Sequence, residues 1–183
     1  MFLKALRLKG LLSFGSATET VPLSNLNILI GPNGSGKSNF IEAIDLLRSA
    51  PSDFRTVLSD GGGVRDWLWK GDHQNKCRTA LLDAVLTNPN GPQPLRYCLE
   101  FREEYQRFTI EDERVENENP VDGHEKPYFF YHFNGGRPTL NVKGDNRELR
   151  QEDIEFNRSI LAQRKDPDQY PEITYLARIS HAV

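Results

Sequence analysis

The run Gly31-Pro-Asn-Gly-Ser-Gly-Lys-Ser38 narrows the choice of folds more than any other stretch of the chain. It follows the apolar Leu26-Asn-Ile-Leu-Ile30 and precedes Asn39-Phe-Ile-Glu-Ala-Ile-Asp-Leu-Leu47. The pattern predicts a buried strand, a glycine-rich turn and a helix from Lys37 to about Ser49, the order that G-x-x-x-x-G-K-[ST] requires. Glycines at 31, 34 and 36 let successive backbone N–H groups face one concavity, and the helix opening near Lys37 adds its positive dipole end. The expectation is a cradle for a polyphosphate built from the amides of Asn33, Gly34, Ser35, Gly36, Lys37 and Ser38. Lys37 then sits at the β and γ phosphates, and the Ser38 hydroxyl ligates the Mg²⁺ that bridges them.

At 183 residues the chain is long enough for one domain with a proper core. No apolar run approaches the ~20 residues of a membrane-spanning helix. The N-terminus, Met1-Phe-Leu-Lys-Ala-Leu-Arg-Leu-Lys-Gly10, alternates apolar with basic residues as a strand does, not as a signal peptide does. Cys77 and Cys98 fall in no metal-like pattern, which suits two reduced thiols and a cytoplasmic location. A net charge of −3 gives the chain as a whole no electrostatic footprint for nucleic acid.

Residues 2–9 read as a first strand, Gly10 to Ser16 as a bend, and Thr18 to Val21 as a return strand paired with the first. After the phosphate loop, the helix stripe of Phe40, Ile41, Ile44, Leu46 and Leu47 faces a sheet and ends at Ala50-Pro51. From Thr79 the period becomes two. Thr79 to Leu86, Leu95 to Phe101, Tyr105 to Val115, Tyr128 to Phe133 and Thr139 to Val142 read as antiparallel neighbours joined by short turns. The acidic run Glu111 to Asn119 reads as a solvated hairpin edge. His73, His124, His132 and His181 show no ligand spacing. Gln151 to Gln163 and Pro171 to Ser180 read as helices, the second with proline at its start.

The pieces Leu8-Lys-Gly-Leu-Leu-Ser-Phe14, Leu26-Asn-Ile-Leu-Ile-Gly-Pro-Asn-Gly-Ser-Gly-Lys-Ser-Asn39 and Ile41-Glu-Ala-Ile44 resemble the N-terminus of ABC-type ATPases of the SMC and RecF group. Within that group the chain looks most like bacterial predicted AAA/ABC ATPases related to the OLD family. Pro32-Asn33 and Asn39 carry this narrower likeness. The resemblance implies an α/β (α+β) fold of the P-loop NTPase kind: an ABC-type first lobe with an antiparallel meander and a helical C-terminal segment. It implies ATP and Mg²⁺ as cofactors, with Asn39 at the nucleotide and Ser13 and Phe14 near the adenine or ribose. A core plug beneath the turn is the competing role for Phe14. It also implies that Gln163 reaches toward Mg²⁺ and the attacking water, where an ordinary exposed glutamine at a helix end is the alternative.

By the same resemblance, residues 1–50 hold strands, loop and first helix, 51–78 a Gly/Trp loop, 79–145 the sheet, and 146–183 the start of a helical lobe. Leu58-Ser-Asp-Gly-Gly-Gly63 echoes the L-S-G-G-Q signature but lies too early, and reads as a glycine turn that Trp67 and Trp69 anchor to the domain. No apolar strand ending in Asp-Glu follows. Asp83, in Leu81-Leu-Asp-Ala-Val-Leu86, precedes alanine and reads as an outward strand residue. The expectation is thus the first half of a head, an incomplete domain, with truncation favoured over a natural short relative. The intact protein is expected to hydrolyse ATP in a head-to-head homodimer, with DNA as a partner in its relatives and no membrane. The fragment alone is expected to be inactive. A non-catalytic scaffold module is the alternative, and a kinase is disfavoured because the meander interrupts a βαβ rhythm.

Overall fold

The strands β1 (Leu3–Lys9), β2 (Val21–Pro22), β3 (Thr79–Leu86), β4 (Leu95–Glu104), β5 (Arg107–Asn117), β6 (Phe129–Asn134), β7 (Thr139–Val142) and β8 (Asp145–Glu148) form one sheet in the order β2-β1-β3-β4-β5-β6-β7-β8. Every neighbouring pair is antiparallel. The computed structural model describes residues 2–71, 78–142, 145–149 and 154–180. Cys77, His73 and His181 lie outside them.

Among the described residues the helices α1 (Lys37–Ser49), α2 (Phe54–Asp60), α3 (Val64–Trp67), α4 (Ile160–Gln163) and α5 (Pro171–Ser180) accompany the sheet. Phe40, Ala43, Leu46 and Leu47 recur at helical spacing on α1 and are buried, whereas Ile41 is 53% exposed on the far side. With Phe54 and Leu58 of α2 and Ile173 and Leu176 of α5 they join one core with Leu6, Leu8, Leu82, Leu86, Leu99, Phe101 and Ile110 of the sheet. Asp53 caps α2 by accepting from the Arg55 N–H.

The meander follows the sequence pattern closely, with two refinements. β4 runs on to Glu104, and its turn to β5 is the pair Tyr105-Gln106, both at positive φ (50° and 62°). That is the backbone a two-residue hairpin requires. β8 adds a last strand beyond the one expected over Thr139 to Val142.

The acidic run is a correction: most of it lies on β5, an interior strand, and Asp112, Glu113 and Glu116 are buried. A register shift beside Glu111 moves the pairing from Phe101↔Ile110 to Glu100↔Asp112. The extra residue reverses the alternation, so Phe108 and Ile110 face the core before it, and Glu113 and Val115 after it. Asp112, Arg114 and Glu116 therefore line the opposite face. There Arg96 holds Asp83 through two bonds of 2.8 and 2.7 Å and reaches Glu116 at 3.3 Å. Arg114 and Asn134 both donate to Asp112. These carboxylates need arginines, not solvent.

Two further expectations change. Leu26, Ile28 and Ile30 form no strand and are 77%, 74% and 89% exposed. The apolar run is present, but β1 already lies between β2 and β3, and residues 26–30 pair with none of the described strands. Of the expected helix over Gln151 to Gln163, residues 151–153 lie outside the description and only Ile160–Gln163 is helical. Upstream, Phe156 is held on the sheet: its carbonyl accepts from the Ile110 N–H, and its ring lies 4.9 Å from that of Phe133.

Candidate functional site: the glycine loop at the start of the first helix

Gly34 and Gly36 adopt φ of 81° and 86°, the left-handed region that glycine enters without a Cβ penalty. Gly36 is the N-cap of α1 and provides no side chain to bond the first-turn amides, so the helix start presents free N–H donors beside its positive dipole end. No acidic residue occupies that first turn. Residues 31–35 are exposed, so the concavity opens to solvent.

The Lys37 ammonium folds back over the loop, donating to the Gly31 carbonyl at 2.8 Å, the Pro32 carbonyl at 2.7 Å and the Ser35 hydroxyl at 3.3 Å. A lysine bonded only to neutral acceptors on a solvent-facing rim can exchange them for an anionic oxygen at small cost. The Ser38 side chain is exposed and bonds to no described residue. Asn33 is exposed, and Asn39 is half-buried on the first turn of α1. The donor set therefore fits a polyphosphate, and the Ser38 hydroxyl, next to Lys37, is of the oxygen-ligand type that its Mg²⁺ takes. Among the described residues no group of three or more His, Cys, Asp or Glu side chains could hold a metal by itself.

The turn at residues 10–15 lies against this loop. The Ser13 hydroxyl sits 2.7 Å from where a Cβ on Gly36 would be, so a side chain there would make Ser13 turn away as well as strain φ. Phe14 turns toward α1, its ring 6.2 Å from that of Phe40 and packed on the core. Ser13 is thus beside the loop, while Phe14 takes the plug position.

The glycine turn after α2 is fixed from the same side. Trp67 is buried against Gly61, its carbonyl accepts from the Leu12 N–H at 2.6 Å, and Leu68 bridges Leu11. The Trp69 N–H donates to the Gly10 carbonyl at 2.8 Å, and its indole lies over Gly15. Both tryptophans anchor the loop as the aromatic pair suggests.

Gln163 is engaged elsewhere. Its amide nitrogen donates to the Glu155 carbonyl at 2.9 Å and the Arg158 carbonyl at 2.7 Å, and its oxygen accepts from the Glu155 N–H. These bonds tie residues 155–163 into a closed loop and do not bring Gln163 to the phosphate loop.

Sequence reasoning passed over Glu113, a fully buried carboxylate joining β4, β5 and α4. It accepts from the Tyr97 hydroxyl at 2.8 Å, the Ser159 hydroxyl at 2.6 Å and the Ile160 N–H at 3.1 and 3.0 Å. The signal was there as a break in parity: apolar residues occupy even positions at 108 and 110 and an odd one at 115.

Among the described residues no helix is long and apolar enough to cross a membrane. A family model described as "AAA domain, putative AbiEii toxin, Type IV TA system" matches residues 26–168. The chain is also similar to chromosome partition proteins Smc. It is 46% identical over 101 residues to that of Clostridium kluyveri, covering 53% of this chain and 8% of the relative. It is 48% identical over 98 residues to that of Mycolicibacterium paratuberculosis, covering 53% and 8%. The chain thus spans a small fraction of these relatives' length. A solved structure from "Structural biochemistry of ATP-driven dimerization and DNA stimulated activation of SMC ATPases" aligns with a TM-score of 0.49 and 21% identity, over 60% of this chain and 68% of the other. Because the family match runs from the apolar stretch before the phosphate loop, across the whole meander and past α4, the chain belongs to this AAA domain family.

Proposed function

We propose that this chain is the ATP-binding lobe of an SMC/RecF-like ATPase, holding ATP·Mg²⁺ on residues 33–39. The observation that carries the reading is Gly36 at φ 86° as the N-cap of a 13-residue helix, with Lys37 and Ser38 directly after it. Backbone donors, one ammonium and one free hydroxyl are what a terminal phosphate and its magnesium need.

Hydrolysis asks for more: a second carboxylate on the metal and a group that positions water. Asp83 is held by Arg96, and Gln163 is bonded within its own loop. In the proposal those parts come from further elements of a complete head, where two heads close on two nucleotides and the cycle is coupled to work on DNA. The exposed alternation at Leu26, Ile28 and Ile30 supports this, because an apolar strand sequence beside a phosphate loop is expected to be paired within a sheet. On this reading residues 1–183 form the N-terminal part of one head.

The test is thermal unfolding of the 183-residue chain with and without ATP·Mg²⁺. A ligand confined to the folded state raises the midpoint in proportion to the logarithm of its concentration. Lys37→Ala is expected to reduce affinity roughly tenfold or more through loss of a charge-assisted contact. No shift in the native chain at millimolar ATP·Mg²⁺ would remove the proposal.

A further inference from the structure

Two aromatic side chains flank the 10–15 turn, and their surroundings differ. Phe14 is packed on the core beside Phe40. Trp69 is half-buried, with one side of the indole covered by Gly15: Cζ2 lies 3.2 Å and Cε2 3.3 Å from the position of a Gly15 Cβ. Any side chain at position 15 would push the ring away.

The backbone on either side of the ring is tied to the same turn. The Trp69 backbone N–H donates to the Gly10 carbonyl, and the Trp67 carbonyl accepts from the Leu12 N–H, so the main chain that carries the indole is fixed against residues 10–15. Ser13, two residues before Gly15, touches the Gly36 position of the phosphate loop. Two residues span at most about 7 Å of chain. Trp69, Gly15, Ser13 and Gly36 thus form a short continuous path from a flat aromatic surface to the anion cradle, on the scale of a ribose and a base.

We propose that Trp69 is the stacking platform for the base of the nucleotide whose phosphates rest on residues 33–38. The inference rests on the phosphate-loop reading above and adds its selectivity. An indole face stacks any base, and the larger purine gains more contact than a pyrimidine. ATP and GTP are therefore both ligands, and CTP is weaker. Phe14, the aromatic nearer to the loop in sequence, supports α1 instead.

The experiment is calorimetric titration of the whole chain with ATP, GTP, CTP and inorganic tripolyphosphate, each with magnesium. In the native chain ATP and GTP are expected to bind more tightly than CTP, and all three more tightly than tripolyphosphate. Trp69→Ala should weaken ATP by roughly fivefold to 150-fold and leave tripolyphosphate unchanged. Trp69→Phe should keep most of the ATP affinity.

Indole emission gives a second readout on the unaltered protein, which contains only two tryptophans, one of them the buried Trp67. ATP should quench it and tripolyphosphate should not. Tripolyphosphate binding as tightly as ATP, or Trp69→Ala weakening both equally, overturns the Trp69 assignment and leaves the loop standing. Binding of neither ligand overturns both.

Discussion

Glu113, on the core side of β5, accepts a 2.6 Å hydrogen bond from the hydroxyl of Ser159, the residue that caps α4. The same hydroxyl accepts from the Leu161 N–H, so one serine closes the helix start and ties it to the sheet. Burial raises the Glu113 carboxyl to about 7, against the opposing pull of the Ser159, Ile160 and Tyr97 donors. Desolvation wins because the group is wholly enclosed.

That shift predicts a pH dependence. The folded carboxyl titrates near 7 and the unfolded one near 4.5, so between these values the folded state holds the extra proton. Stability from Glu113 is full below pH 4.5, declines as pH rises to about 7 and is flat above, a change of roughly 3 kcal/mol. Glu113→Gln should flatten this segment of the curve. Glu113→Ala, which removes the acceptor shared by three buried donors, should cost about 3 kcal/mol at low pH. Chemical denaturation at half-unit pH steps checks both, and an unchanged slope in Glu113→Gln would refute the assignment.

What the sequence made legible was whatever depends on local period and local backbone. α1, β3, β7 and α5 have the limits that the pattern predicts, and Gly34 and Gly36 take the conformations that the loop spacing demands. The failures are all non-local. Leu26 to Ile30 is apolar as a buried strand is, but a strand exists only with a neighbour, and residues 26–30 pair with none of the described strands. The acids of β5 looked solvated because Arg96, Tyr97 and Asn134, which bond to them, lie on other strands, and the bulge beside Glu111 that turns Glu113 inward has no glycine to announce it. Two roles stayed open for Phe14 for the same reason: which ring meets the core is decided by α1, about 25 residues away in sequence.

The sheet's polar face should separate valuable ion pairs from ornamental ones. Asp83 and Arg96 have side-chain exposures of 8% and 29%, whereas Asp45 and Arg48 on α1 have 55% and 48%. Asp83→Ala leaves a half-enclosed guanidinium with only Glu116, and should cost about 2 kcal/mol. Asp45→Ala should change stability by about 0.5 kcal/mol or less. Equal midpoints for the two variants in urea would show that the network adds nothing.

Leu26, Ile28 and Ile30 predict self-association. An exposed apolar run with unpaired backbone is a template for another strand, and here it follows the short edge strand β2 by four residues in sequence. Leu26→Lys combined with Ile28→Lys should shift sedimentation toward the monomer at high protein concentration. The melting midpoint should move little, since surface substitutions of this kind stay within about 0.5 kcal/mol. A native chain that stays monomeric at every concentration tested would contradict the expectation.

The two left-handed glycines of the phosphate loop should respond differently to alanine. Nothing lies within 4 Å of a Cβ on Gly34, so Gly34→Ala meets only the strain of φ 81°, about 1 kcal/mol. Gly36→Ala meets the strain of φ 86° and the Ser13 hydroxyl at 2.7 Å, and should cost about 2 kcal/mol or more. In a Ser13→Ala background the oxygen is gone and the remaining Ser13 Cβ stands at 3.7 Å, an ordinary contact. Gly36→Ala should then cost no more than Gly34→Ala, giving a coupling of about 1 kcal/mol in the double-mutant cycle. Such coupling would mean that the 10–15 turn sets the loop by direct contact, so that displacing the turn alters the phosphate cradle without touching Lys37 or Ser38. Additive costs would instead make the turn and the loop independent, and the path from Trp69 to Gly36 would lose its middle link.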